Sequence, residues 1–92
     1  MTDSSQNKRI EYSPVFTKLI TNAPTDIKIA FREARDLFAE NPNHPALRNH
    51  PLIGKYTGFR SIDVTDDWRA VYRTENERII FVDIGTHVEL YG

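Results

Sequence analysis

Hydrophobic residues in the first half of the chain recur at helical spacing. A short amphipathic helix is predicted by the apolar positions Val15, Phe16, Leu19 and Ile20. Ser13 and Pro14 mark its start, because serine caps helices and proline is tolerated in the first turn. A longer helix, ending before Pro42, is predicted from about Thr25 to Asn41 by the apolar positions Ile27, Phe31, Ala34 and Phe38.

The pattern becomes extended on either side of these helices. RIEYS, residues 9–13, alternates apolar and polar positions, which predicts a short first strand. Three later segments are rich in β-branched and aromatic residues and are separated by TDD and ENE turns: Lys55–Val64, Trp68–Thr74 and Arg78–Ile84. In Trp68–Thr74 the apolar Val71 falls at the same parity as Arg69 and Arg73, and we leave its two faces unassigned.

The element order is therefore β-α-α-β-β-β, an α+β fold. Because tight turns join the three late strands, we expect two N-terminal helices packed on one face of a small antiparallel sheet. A chain of 92 residues fits one domain, which we place at residues 9–92 after a flexible tail, residues 1–8.

Composition excludes several kinds of protein. Hydrophobic residues make up 39% of the chain and charged residues 27%, as in ordinary globular domains. The absence of cysteine excludes disulfides and thiolate chemistry, and with no 18-residue apolar run or signal peptide the expected location is cytoplasmic, with no membrane contact. A net charge of −1 argues against binding nucleic acid through a broad basic face.

Three histidines are candidates for proton transfer, because an unperturbed imidazole titrates near ~6.5. A capping or surface role is favoured for His44, in the proline-rich NPNHPALRNHPL segment. His50 precedes Pro51 and is open to a structural or a functional interpretation. His87 follows a glycine just past a strand and lies four residues before Tyr91, although surface histidines in C-terminal segments are common.

No clustered ligands predict a metal site, and no glycine-rich motif predicts a cofactor.

The segment Asp66-Asp67-Trp68-Arg69 has two interpretations. The structural one is an Asp-rich turn leading into a strand, with Trp68 in the core and Arg69 paired with an acid. The functional one notes that a carboxylate, an imidazole, a guanidinium and a stackable ring suit RNA cleavage. Together they provide proton abstraction from a 2′-hydroxyl, protonation of the leaving 5′-oxygen, phosphate binding and base stacking.

Motifs in the second half resemble those of the RelE/ParE superfamily of type II toxin–antitoxin toxins, most closely its YafQ-like branch. The matching segments are HPL, GKYTGFR, DWRAVY, IGTH and the LYG end. This resemblance implies a RelE-like fold and a cytoplasmic, ribosome-dependent mRNA endoribonuclease. Such a toxin cleaves translated mRNA by general acid–base chemistry without metal or cofactor, and a cognate antitoxin holds it inactive.

The resemblance also implies site residues. Catalytic roles fall on His50, Asp67, His87 and Tyr91. Substrate-binding roles fall on Lys55, Arg60, Asp63, Trp68 and Arg69. Two positions depart from the YafQ-like pattern: Asp63 stands where a histidine is expected and Asp83 where an arginine is expected. A carboxylate there would repel a scissile phosphate unless it is protonated or paired.

These two aspartates leave an alternative open. A ParE-like or catalytically degenerate member would act through protein contacts, on gyrase or on its antitoxin, without cleaving RNA. From His50 onward, five Lys and Arg residues face seven Asp and Glu residues, which is consistent with this alternative. In either case the basic residues Lys28, Arg32 and Arg35 could meet an acidic antitoxin segment that folds on binding.

Overall fold

The computed structural model describes residues 8–91, so the predicted tail, apart from Lys8, lies outside the described residues. In chain order the elements are β1 (Arg9–Tyr12), α1 (Pro14–Thr21), α2 (Thr25–Glu40), a 3-10 turn (Pro45–Leu47), β2 (His50–Pro51), a second 3-10 turn (Gly54–Tyr56), β3 (Arg60–Asp63), β4 (Trp68–Glu75), β5 (Arg78–Thr86) and α3 (His87–Tyr91).

Both predicted helices form. Ser13 Oγ accepts a hydrogen bond of 3.1 Å from the backbone N–H of Phe16, so serine caps α1 as expected. Phe16 is buried and Ile20 is half-buried against the core, whereas Val15 and Leu19 are exposed. In α2 the four predicted apolar positions are all buried, because the helix places one continuous face on the sheet.

The strands form one sheet in the order β1-β5-β4-β3-β2. The three late strands pair antiparallel, as predicted, and β2 pairs antiparallel with β3 at the edge of the sheet. β1 pairs parallel with β5, with Ile10 opposite Ile79, so the sheet is mixed and not wholly antiparallel. Parallel pairing is possible here because the chain crosses the face of the sheet through α1 and α2 before it reaches β5.

One predicted strand is shorter than expected, and the C-terminal segment forms a helix that was not predicted. Of Lys55–Val64, only Arg60–Asp63 is a strand, because Gly54 and Gly58 have φ of +72° and +94° and turn the chain before it. The C-terminal segment forms α3, where Thr86 Oγ1 accepts the Glu89 N–H at 3.1 Å and Glu89 Oε1 accepts the Thr86 N–H at 2.7 Å. This reciprocal pair is a capping box, which fixes where the helix begins.

A β-bulge interrupts the pairing of β4 with β5. Val71 lies opposite Asp83 and Tyr72 lies opposite Phe81, so Val82 is an extra residue in β5. Ala70 and Tyr72 face the helices, whereas Val71 faces the other side and is equally buried. That other side, here called the site face, carries Ser61, Asp63, Arg69, Val71, Asp83 and Gly85 by register.

Candidate active site

A groove of about 830 Å³ lies on the site face, between the segment around β2 and helix α3. It contains six of the nine residues predicted for the site: His50, Lys55, Asp63, Arg69, His87 and Tyr91. These residues are contributed by β2, the following 3-10 turn, two central strands and α3, so the sheet register is what brings them together. We call this cavity the site groove.

The side chains of the other three predicted residues do not line the site groove. Arg60 lies opposite Tyr72, on the helix side, and its Nε donates to Asn49 Oδ1 at 2.8 Å. Trp68 packs against the core beneath the helices. Asp67 is exposed, but its carbonyl accepts the His87 N–H at 2.9 Å, so its backbone adjoins the start of α3. Trp68 is therefore a core residue, as the structural interpretation of the Asp-Asp-Trp-Arg segment proposed.

Asp63 is paired on both carboxylate oxygens. Arg69 Nε lies 3.0 Å from Asp63 Oδ1, and both side chains are about 15% exposed or less. Arg48 Nε lies 3.5 Å from Oδ2. Arg69 Nη1 also donates to the carbonyls of the preceding turn, at 3.0 Å to Thr65 and to Asp66. Two guanidinium groups thus neutralise the carboxylate that replaces the expected histidine.

His50 is held in a defined tautomer. Its Nδ1 lies 2.8 Å from the carbonyl oxygen of Arg48. Because a carbonyl only accepts, Nδ1 must carry the hydrogen, and Nε2 is the atom of the neutral ring that takes up a proton. This arrangement suits a general base. A similar contact defines His44, whose Nδ1 accepts the Ala46 N–H at 3.1 Å and caps the first 3-10 turn, as its predicted capping role required.

Helix α3 positions His87 and Tyr91 on the same wall of the site groove. Their ring centroids are 5.0 Å apart, and the planes meet at 70°. Tyr91 Oη donates to Ser61 Oγ at 3.2 Å, and Ser61 is fully buried. Gly85 permits the helix to fold back on β5, since a Cβ there would lie only 3.2 Å from Glu89 Oε1.

Asp83, the second departure from the expected pattern, accepts a hydrogen bond on each of its two carboxylate oxygens. Tyr56 Oη donates to Asp83 Oδ2 at 2.6 Å, and Asp83 Oδ1 accepts the Ile84 N–H at 2.9 Å. Burial, together with the hydrogen bond and the negative charge of Asp83, raises the pKa of Tyr56 to about 12. Tyr56 therefore stays protonated near neutral pH and acts as a donor.

Sequence analysis missed Arg48, Tyr56 and Ser61. Tyr56 lies within the GKYTGFR segment that carried the resemblance, but nothing local marks its partner 27 positions away. The T-x-x-E spacing of Thr86 and Glu89 is a capping-box pattern, and it could have predicted α3. Arg48 gave no signal, because its place depends on a left-handed backbone conformation (φ 48°, ψ 44°) and on the register of β3.

The site groove therefore combines two imidazoles, the cations of Arg48 and Lys55 and a pair of tyrosines along one cavity. The family model for YafQ, a bacterial toxin of type II toxin–antitoxin systems, matches residues 8–92. The chain belongs to the YafQ family. The mRNA interferase toxin YafQ of Escherichia coli strain K12 is 30% identical to it over 94 positions, covering 90% of this chain and 95% of that protein.

Solved YafQ structures share the fold. The crystal structure of YafQ from Escherichia coli strain BL21(DE3) matches with a TM-score of 0.77 and 27% identity, over 92% of this chain and 99% of that one. The toxin in the Escherichia coli DinJ–YafQ complex matches with a TM-score of 0.67 and 26% identity, over the same shares. The predicted family and its α+β fold are thus confirmed.

Two absences concern the described part of the chain. Across residues 8–91, no helix is both long and apolar enough to cross a bilayer. Over the same range, His, Asp and Glu side chains form no group of three arranged to hold a metal ion.

Proposed function

We propose that this chain is the toxin of a toxin–antitoxin pair and acts as an mRNA endoribonuclease. Family membership supports the class of activity, since its Escherichia coli relative is an mRNA interferase. The observation that carries the proposal is that His50 and His87 line the same groove, in which Arg69 and Arg48 pair with the Asp63 carboxylate. Paired in this way, Asp63 no longer opposes a phosphate as a bare charge would, whereas Asp83 keeps its charge and holds the Tyr56 hydroxyl.

The mechanism uses the two histidines as base and acid. His50 Nε2 takes the proton of a 2′-hydroxyl, whose oxygen then attacks the adjacent phosphorus and forms the cyclic phosphate. The bond from phosphorus to the 5′-oxygen breaks, and the protonated His87 gives its proton to that oxygen. Asp67, whose carbonyl accepts the His87 N–H, is retained as the residue that holds the start of α3 and thereby orients His87.

Substrate binding falls on the remaining residues of the site groove. Lys55 provides positive charge toward the phosphate, whereas Arg69 acts indirectly by compensating Asp63. Tyr91 offers a ring for a base splayed from a single strand, and Tyr56, 6.1 Å from it between centroids, extends that aromatic wall. Trp68 and Arg60 have no place in this arrangement, because their side chains lie on the helix side of the sheet.

Ribosome dependence is part of the proposal. A chain with a net charge of −1 has little general attraction for RNA. Delivery of mRNA by the ribosome would supply the local concentration and orientation that the protein's own charge does not. A cytoplasmic location follows from this substrate.

Primer extension on a reporter mRNA in a translating extract tests the proposal. We expect cleavage with the wild type and none with His87→Ala or without ribosomes. Circular dichroism of both proteins checks that each is folded. Intact mRNA in the presence of folded wild-type protein would contradict the nuclease and favour the ParE-like alternative, with DNA damage as its readout.

An antitoxin is the proposed protein partner. The Escherichia coli relative has been crystallised as a DinJ–YafQ complex. On α2, Lys28 and Arg32 are exposed, whereas Arg35 already donates to Asp36 at 3.1 Å and to Tyr12 Oη at 3.3 Å. Affinity purification from the native host should recover an acidic partner with the wild type. A Lys28→Glu, Arg32→Glu double variant should recover less of it, and an equal yield would contradict the role of these two residues.

A further inference from the structure

The three arginines near the site groove differ in how freely they can meet a ligand. Arg69 is only 14% exposed, and its Nε and Nη1 are occupied by Asp63 and by the carbonyls of the turn before it. Arg60 lies on the opposite face and donates to Asn49. Arg48 lines the groove with its side chain 76% exposed, and its contact with Asp63 is a loose 3.5 Å. Arg48 is therefore the arginine that is available to a bound anion.

The backbone of Arg48 is fixed even though its side chain is exposed. The residue adopts the left-handed conformation at the end of the Pro45–Leu47 turn, and its N–H donates to the Pro45 carbonyl at 3.2 Å. Its own carbonyl accepts from His50 Nδ1 at 2.8 Å. One residue thus orients the proposed base through its backbone and presents a guanidinium to the same groove.

Asp63 makes an exchange of partners possible. Its Oδ1 is held by Arg69 at 3.0 Å, while Oδ2 faces Arg48 at the longer distance. When Arg48 leaves, Arg69 still compensates the carboxylate, so no buried charge is left unpaired. A phosphate offers the planar guanidinium two oxygens in a fork geometry, which is a stronger contact than the loose pair it replaces.

We propose that Arg48 is the phosphate-binding arginine of the site groove and moves from Asp63 to the RNA backbone when substrate enters. This inference rests on the proposed nuclease function and adds a substrate-binding residue to it. Arg48 then supplies the mobile cation at the groove, while Arg69 holds Asp63 in place. Because the contact with His50 is made by the backbone, changing the side chain should affect substrate binding more than proton transfer.

The test is steady-state cleavage of mRNA on purified, programmed ribosomes by four proteins: wild type, Arg48→Asn, Arg48→Lys and Arg9→Asn. Asparagine tolerates the left-handed conformation, so Arg48→Asn should fold with the melting temperature of the wild type. Arg9 is the matched control, because it is 77% exposed and makes a still looser pair, 3.9 Å from Glu11, on the outer strand β1.

We expect Arg48→Asn to lower kcat/KM by about tenfold or more, mainly through KM, with an unchanged pH profile of kcat. Arg48→Lys should lie between it and the wild type, because lysine keeps the charge without the fork. Arg9→Asn should match the wild type. Wild-type kcat/KM in both Arg48 variants, or a loss confined to kcat, would overturn the role of Arg48 alone. A wild type that cleaves nothing would instead overturn the proposed function, and this inference with it.

Discussion

Tyr56 and Asp83 are joined by a hydrogen bond of 2.6 Å that connects the loop after β2 to the central strand β5. The contact fixes one wall of the site groove to its floor, because Tyr56 lines the groove and Asp83 lies on the site face. It also gives Asp83 a structural role as the acceptor of the phenol hydrogen, which a cation at this position could not accept. The departure from the family pattern is thus matched by a partner elsewhere in the chain.

Removing the Tyr56 hydroxyl should destabilise the fold. In Tyr56→Phe, the Asp83 carboxylate loses a charge-assisted bond, so the free energy of unfolding should fall by about 1–2 kcal/mol. Urea unfolding followed by circular dichroism measures the change. Tyr12→Phe is the control, because the Tyr12 hydroxyl is exposed and only accepts a 3.3 Å contact from Arg35. An equal loss in the free energy of unfolding in both variants would show that the bond to Asp83 stabilises the fold no more than the exposed contact of Tyr12 does.

The same contact predicts how stability depends on pH. The folded-state pKa of Tyr56 is raised to about 12, above the unfolded value of ~10. Between these values the folded chain keeps the phenol proton while the unfolded chain releases it, so the free energy of unfolding falls as pH rises through this window. Below pH ~10 the contribution is constant.

Urea titrations across this alkaline window should therefore show a steeper decline for the wild type than for Tyr56→Phe. Asp83→Asn keeps an acceptor but removes the charge, so it should lower the Tyr56 pKa toward its ordinary value. Carbon-13 NMR of labelled tyrosine rings would follow that shift directly. Parallel stability curves for the wild type and Tyr56→Phe would contradict the assignment.

The role of His50 as the general base can be tested by two amide substitutions. The Asn side chain can donate to the Arg48 carbonyl as Nδ1 does, but it has no counterpart of Nε2. If His50 is the general base, His50→Asn should fold normally and lower kcat by about 10²–10⁴-fold with KM little changed. His50→Gln, which reaches toward the Nε2 position without a basic nitrogen, should be equally inactive. Wild-type kcat in either variant would assign proton abstraction to another residue.

Much of the fold could be predicted because burial imposes simple periods on the sequence. Helix α2 places Ile27, Phe31, Ala34 and Phe38 on the core at the expected spacing. The faces of β4 could not be assigned, because Val71 on the site face is as fully buried as Ala70 and Tyr72 on the helix side. The start of β3 was missed because Gly54 and Gly58 adopt positive φ within a segment that has the composition of a strand.

The site was predicted less completely, and the reason is register. The resemblance selected six residues that line the groove, but it also selected Arg60 and Trp68, which lie on the other face. One position along a strand decides which face a side chain occupies, and sequence motifs carry no direct information on this. Arg48 and Tyr56 were missed because their partners, Asp63 and Asp83, are 15 and 27 positions away in the sequence.

Tyr91 and Ser61 should be energetically coupled. Ser61 is fully buried and accepts from Tyr91 Oη at 3.2 Å, so Tyr91→Phe leaves a buried hydroxyl with one partner fewer. We expect a loss of about 1–2 kcal/mol in Tyr91→Phe, and a smaller further loss when Ser61→Ala is added to it. Urea unfolding of both single variants and the double variant gives the coupling energy. Strictly additive effects would show that the two hydroxyls do not interact in solution.

The capping box of α3 links stability to activity, because this five-residue helix carries both His87 and Tyr91. Glu89→Ala removes the acceptor of the Thr86 N–H and should cost about 1 kcal/mol. Loss of the cap frays a helix too short to persist alone, so cleavage should fall further than global stability does. Glu89→Gln is the matched control, since glutamine preserves the reciprocal bonds and should retain activity. Hydrogen exchange at the α3 amides separates the two effects: faster exchange in Glu89→Ala but not in Glu89→Gln is expected, and unchanged exchange with lost cleavage would instead implicate the carboxylate in the chemistry.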